Sequence, residues 1–164
     1  MTELTHPSPH FNARPTGAVP RILVLHADAG KSDAGTLAWL AHPTSQVSYH
    51  ALIGRNGALY TVVGLAKRAW HAGKASWNGL TDVNSVSVGL AFANRHDGTE
   101  PLTPIQIAVG LSVVQLWAQT IPTLEGVTTH ALVAPARKTD PNNAPGFRLE
   151  DYQQAFRAAR GGAS

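Results

Sequence analysis

The chain has 164 residues, enough for one domain with a proper core and too few for two well-developed ones. Apolar residues make up 43% and charged residues 14%, which excludes an intrinsically disordered chain. Thirteen Lys and Arg against ten Asp and Glu leave a charge of +3. The basic residues are scattered and no aromatic pair frames them, which argues against a nucleic-acid partner and leaves a polyanionic envelope as a fitting one. There is no cysteine, so disulfides, a thiolate nucleophile and a thiolate metal site are all excluded. Any metal must sit on histidine and carboxylate, and eight histidines make that worth pursuing.

Residues 1–20 hold Pro7, Pro9, Pro15 and Pro20 with little apolar periodicity, and are expected to form an extended arm lying over the body of a domain spanning 21–160. The opening residues have no basic segment followed by an apolar run, so the expectation is a chain made in the cytoplasm without a secretory signal. Arg21 to His26 is short, branched and apolar, the pattern of a buried central strand with His26 at its end. Ser32 or Asp33 can cap a short helix running to Ala41. Val47–Ile53 and Ala58–Val63 flank Asn56-Gly57, which predicts a β-hairpin. Lys67 to Ser85 reads as a long loop, and Val86 to Phe92 as another strand.

Thr103-Pro104-Ile105-Gln106 has the form of an N-cap, a proline in the first turn and a capping-box glutamine, opening a helix to about Thr120. Its polar stripe, Ser112, Gln115 and Gln119, is narrow, so the expectation is that the N-terminal arm or another subunit covers it. The uncharged stretch Pro101–Leu124 contains proline, glycine and glutamines and makes a poor membrane span. Thr128 to His130 reads as a last short strand, Ala134 to Gly146 as an irregular loop, and Leu149 to Ala159 as a closing helix before a frayed tail, 160–164. Alternation of strands and helices gives an α/β class: a single domain with a central mixed β-sheet flanked by α-helices.

His26 or His130 alone reads as a satisfied core histidine, and Asp140, two residues after Lys138, as half of an exposed ion pair. Their order carries more: a histidine at one strand end, a second at another, and an aspartate ten residues on in a loop. Two histidines and one carboxylate with an open fourth position is the pattern of a catalytic zinc site.

The local motifs are Leu25-His26, Val47-Ser-Tyr-His50, Arg68-Ala-Trp-His-Ala-Gly73, Ser87-Val-Gly-Leu90, Thr129-His130 and Ala134-Pro-Ala-Arg-Lys-Thr-Asp-Pro141. Together they resemble the zinc-dependent N-acetylmuramoyl-L-alanine amidases: phage amidase-lysozymes, bacterial recycling amidases and peptidoglycan recognition proteins. The resemblance implies that His26, His130 and Asp140 hold Zn2+ at the strand ends and that Lys138 is the catalytic lysine stabilising the oxyanion. It further implies that Trp70 and His71 line the groove for a peptidoglycan or muropeptide substrate, the other reading being that they anchor the long loop; Arg68 can pair with a peptide carboxylate or stand solvated. Recycling-type members carry a glutamate where this chain has Ala91, while phage members carry a tyrosine where it has Tyr49, so Tyr49 is expected to take over the glutamate's task. His50 points away from Tyr49 if the strand is regular, making one of the pair structural.

A compact basic chain favours a phage-type endolysin; the alternatives are a cytoplasmic muropeptide-recycling amidase and a non-catalytic peptidoglycan-binding module. The oligomeric state is open.

Overall fold

Along residues 3–161, which the computed structural model describes, the chain forms β1 (Glu3–Thr5), β2 (Phe11–Ala13), β3 (Ile22–Ala27), α1 (Asp33–Ala41), β4 (Ala51–Ile53), β5 (Leu59–Thr61) and β6 (Lys67–Ala69). A 3-10 turn (Val83–Val86) then leads into β7 (Ser87–Phe92), α2 (Pro104–Thr120), β8 (Gly126–Thr129), the single turn α3 (His130–Val133) and α4 (Leu149–Ala159). β3 and β7 are buried at every position, as apolar strands covered on both faces must be. They pair in parallel at the heart of a six-stranded mixed sheet ordered β1-β5-β4-β7-β3-β8. The β4–β5 pair is the antiparallel hairpin expected around Asn56-Gly57, with strands shorter than the sequence pattern suggests. At the far edge β8 joins β3 in parallel.

Helices α2 and α4 close one face. Leu23, Leu25, Leu90 and Phe92 of the sheet pack against Val109, Val113 and Trp117 of α2 and Tyr152 and Phe156 of α4. Gly110 permits that contact: a Cβ there would lie 2.8 Å from the Phe92 ring and 3.1 Å from Tyr152. α2 opens with the expected capping box, Thr103 Oγ1 accepting from the Gln106 N–H and the Gln106 side chain accepting from Thr103 N–H. On the opposite face Leu40 of α1 packs with Tyr49, Leu52 and Ala91, while Ile22 and Val24 meet Ala72, Val83 and Val133. α1 starts at its Ser32 cap, whose hydroxyl accepts from Gly35 N–H at 3.1 Å.

Three expectations are corrected. The helix α2 is not overlain by the N-terminal segment: β1 extends the sheet by pairing with β5 and β2 pairs with β6, while Ile105, Ala108, Ser112, Gln115 and Leu116 of α2 stay exposed. His130 does not end a strand. Thr129 accepts from Leu132 N–H and caps α3, so His130 opens a helical turn. The stretch Val47–His50 lies outside the ladder, Ser48 N–H donating to Trp70 O and strand pairing beginning only at Ala51. Arg14 ties the N-terminal segment down, its guanidinium donating to the carbonyls of Asn84, Ser85, Leu65 and Ser87. The expected tail residues 162–164 lie outside the described residues, and among the described residues no helix is long and apolar enough to cross a membrane.

Candidate metal centre

Strand register builds the centre. β3 and β8 run in parallel with Leu25 opposite Thr129, so the next residues, His26 and His130, emerge side by side at the carboxyl ends of the strands. Open parallel sheets place their sites at these ends. Their rings lie 4.6 Å apart between centroids. Asp140 returns from the loop after α3 and is pinned to β3 and α3: its Oδ2 accepts from Ala27 N–H at 3.3 Å and its backbone carbonyl from Ala131 N–H at 2.9 Å. His26, His130 and Asp140 are all buried, and one ligand atom from each lies within 4.8 Å of the others.

The proton positions show what such a cluster can hold. His130 Nε2 lies 3.2 Å from the Ala72 carbonyl, and its Nδ1 faces the Asp140 carboxylate, also at 3.2 Å. His26 Nδ1, 3.5 Å from Asp140 Oδ2, is buried without a hydrogen-bond partner. Burial lowers the His26 pKa to about 4, outweighing the neighbouring carboxylate, so the ring is neutral at pH 7. Burial alone would raise Asp140, but its two imidazole partners outweigh that and hold it well below the usual carboxylate range. Two imidazole nitrogens converging on an ionised carboxylate, one of them without a hydrogen-bond partner, leave a place suited to a cation. Two imidazoles and one carboxylate fit a four-coordinate zinc ion with one position open to substrate.

Beside this cluster runs a cleft of about 460 Å³ lined by Asp28, Lys31, Trp39, Val47, Tyr49 and Lys138, among others. Its size is that of a small-molecule pocket. The Tyr49 ring sits 5.2 Å from that of His26. Burial holds the phenol well above its ordinary pKa, with Asp28 and Asp140 adding to the effect, so Tyr49 stays protonated and offers an O–H. His50 is the structural member of the pair: its Nδ1 accepts from Gly89 N–H at 2.9 Å and its Nε2–H donates to Lys67 O at 3.0 Å. Ala91, in register with His26, is fully buried and shares a cluster with Tyr49.

The cleft lining can be compared with the three residues expected to contact substrate, Arg68, Trp70 and His71. None lines this cleft. Arg68 pairs with Asp82 at 2.8 Å and bonds Ser85, and Trp70 Nε1–H donates to Asn12 Oδ1, fastening β6 to β2. His71 is buried, with Nδ1 at 3.0 Å from His26 Nε2 and Nε2 at 3.0 Å from Ser87 Oγ. Sequence reasoning missed Trp39 and Lys31 on the cleft wall. The signal for Trp39 was faint: a large aromatic, 51% exposed, on a helix with little amphipathic contrast.

Comparison with known proteins agrees with this geometry. Residues 16–143 match the N-acetylmuramoyl-L-alanine amidase family. The 1,6-anhydro-N-acetylmuramyl-L-alanine amidase AmpD of Salmonella typhimurium is 34% identical, over 87% of this chain and 86% of that protein. A solved complex of the amidase AmiD from E. coli with anhydro-N-acetylmuramic acid-L-Ala-D-gamma-Glu-L-Lys is 29% identical, covering 86% of this chain and 60% of that one with a TM-score of 0.71. The endolysin amidase LysCS from Clostridium intestinale is 18% identical, covering 92% of this chain and 93% of that one at a TM-score of 0.67, and shares the fold alone. The relatives named above 30% identity, AmpD among them, back the recycling-amidase alternative better than the endolysin expectation. By its motifs, its fold and these likenesses, the chain belongs to the N-acetylmuramoyl-L-alanine amidase family.

Proposed function

We propose that the protein hydrolyses the amide between N-acetylmuramic acid and L-alanine in soluble anhydromuropeptides, with zinc held by His26, His130 and Asp140. The observation that carries this reading is the convergence of those three buried groups beside a cleft that also holds Tyr49 and Lys138. Bound there, zinc supplies a Lewis acid for the scissile carbonyl and an acidified water for attack. Lys138 brings an ammonium to the cleft, where it stabilises the negative charge that develops on the carbonyl oxygen. Tyr49, kept protonated by burial, donates a hydrogen bond to the attacking water or to the tetrahedral centre and stands in for the glutamate absent at Ala91. Water adds to the carbonyl carbon, the C–N bond breaks, and the departing L-alanine nitrogen takes a proton. The products are the lactyl carboxylate of the muramic acid and a peptide with a free amino terminus.

The cleft wall supports a small sugar-peptide ligand. Trp39 offers an exposed ring of the kind that stacks on a sugar face, and Lys31 a cation for a stem-peptide carboxylate. The test is to incubate zinc-loaded protein with purified anhydromuropeptide and with intact sacculi in parallel, identifying products by mass spectrometry. Release of free stem peptide from the soluble substrate is expected. Cleavage confined to sacculi would restore the wall-degrading role, and retention of muropeptide without cleavage would leave a binding module.

A further inference from the structure

We infer that His71 is a positioning residue which fixes the tautomer of His26, through a one-way hydrogen-bond relay anchored on Ser87 and the Val83 carbonyl. The inference rests on the reading of His26 as a metal ligand. The relay's direction follows from its far end. The Val83 carbonyl can only accept, and Ser87 Oγ lies 2.5 Å from it, so the single hydroxyl proton is spent there. His71 Nε2, 3.0 Å from the same Oγ, must then be the donor to it. The two ring nitrogens of His71 face a hydroxyl and an imidazole, so a cationic ring would be buried with no counter-charge against it. His71 therefore carries one proton, on Nε2, and its Nδ1 holds a lone pair. That lone pair, 3.0 Å from His26 Nε2, accepts the His26 proton. His26 Nδ1 is left bare, and it is this buried atom that has no hydrogen-bond partner and lies 3.5 Å from Asp140 Oδ2.

The surroundings hold the His71 ring as tightly as they orient its protons. A Cβ on Gly89 would come within 2.7 Å of His71 Cγ, so the ring lies directly against the β7 backbone where only glycine leaves room. Asn84 Oδ1 accepts from the backbone N–H groups of His71 and Ala72 at 3.2 and 2.8 Å, pinning the chain on either side. The rings of His71 and His26 meet nearly at right angles, 85° with centroids 5.0 Å apart. Ala72 O, the next residue's carbonyl, lies 3.2 Å from His130 Nε2. One short segment thus faces the Nε2 of both histidines of the centre. Groups behind a ligand histidine commonly set its orientation and change metal affinity 10- to 100-fold.

Nitrogen-15 NMR of the imidazoles, recorded on metal-free and zinc-loaded protein, tests the relay, together with zinc affinity by chelator competition for His71→Leu, His71→Asn and Ser87→Ala. In the metal-free wild type, His26 and His71 are both expected in the Nε2–H form, and zinc is expected to shift His26 Nδ1. His71→Leu, which has no acceptor, should weaken zinc binding about 10- to 100-fold. His71→Asn, whose amide oxygen replaces Nδ1, should recover most of it. Ser87→Ala frees the His71 tautomer and should weaken binding less than His71→Leu does. A His26 Nδ1–H in the metal-free wild type, or wild-type zinc affinity in His71→Leu, would overturn the inference. If the wild type takes no zinc, the metal reading fails separately, and the metal-free spectrum still decides the relay.

Discussion

Removing a single oxygen atom from Tyr49 gives the sharpest test of how the chain works without a glutamate at Ala91. The ring packs with Leu40, Leu52 and Ala91 and lies 5.2 Å from the His26 ring, contacts that phenylalanine keeps. What Tyr49→Phe loses is one O–H donor on the cleft wall, in protonated form because burial raises its pKa. A donor aimed at charge developing in the transition state is worth about 3–4 kcal/mol, so turnover should fall on the order of 10²- to 10³-fold. The assay is the initial rate of stem-peptide release from anhydromuropeptide, with zinc content and thermal midpoint measured on the same samples. The fall should be in kcat, with metal content and midpoint unchanged. Wild-type turnover in Tyr49→Phe would refute the reasoning and leave the metal, Lys138 and bulk water to carry the reaction.

Lys138→Ala should lower kcat on the order of 10²-fold while zinc content holds, as read by the same peptide-release assay, because it removes the cation beside the scissile carbonyl. Arg14→Ala strips the donor from three backbone carbonyls at the base of β7 and from that of Leu65, and should destabilise the fold by roughly 3–5 kcal/mol in urea unfolding. Burial holds His26 and His50 at about 4 against an ordinary 6.5, so the unfolded chain takes up protons first as the pH falls. The stability of the metal-free protein should be complete above pH 6.5 and drop between 6.5 and about 4, by roughly 3 kcal/mol per histidine. Urea midpoints across that range would show it.

Much of the centre is legible in the sequence because its parts sit on strong local signals. His26 follows an unbroken apolar strand, His130 follows a short β-branched one, and Asp140 lies in a specific motif two residues after Lys138. The capping box of α2 is equally plain and forms as written. What stays hidden depends on partners distant in the chain. β1 and β2 are three-residue strands, exposed throughout, with no alternation to announce them; they exist because β5 and β6, more than fifty residues on, offer an edge. His71 sits in a long segment without periodicity, and nothing local tells a groove histidine from one locked between Ser87 and His26. The face of α2 is settled only in part: the N-terminal segment leaves it open, and Ile105, Ala108 and Leu116 are exposed in the single chain.

Metal stoichiometry tests the central claim most directly. Protein stripped with a chelator, returned to zinc and freed of excess should hold one zinc ion per chain by elemental analysis, and Asp140→Ala, His26→Ala and His130→Ala should each hold far less while remaining folded. Stoichiometric zinc that survives all three substitutions, or wild-type protein that retains none, would contradict the assignment of the centre.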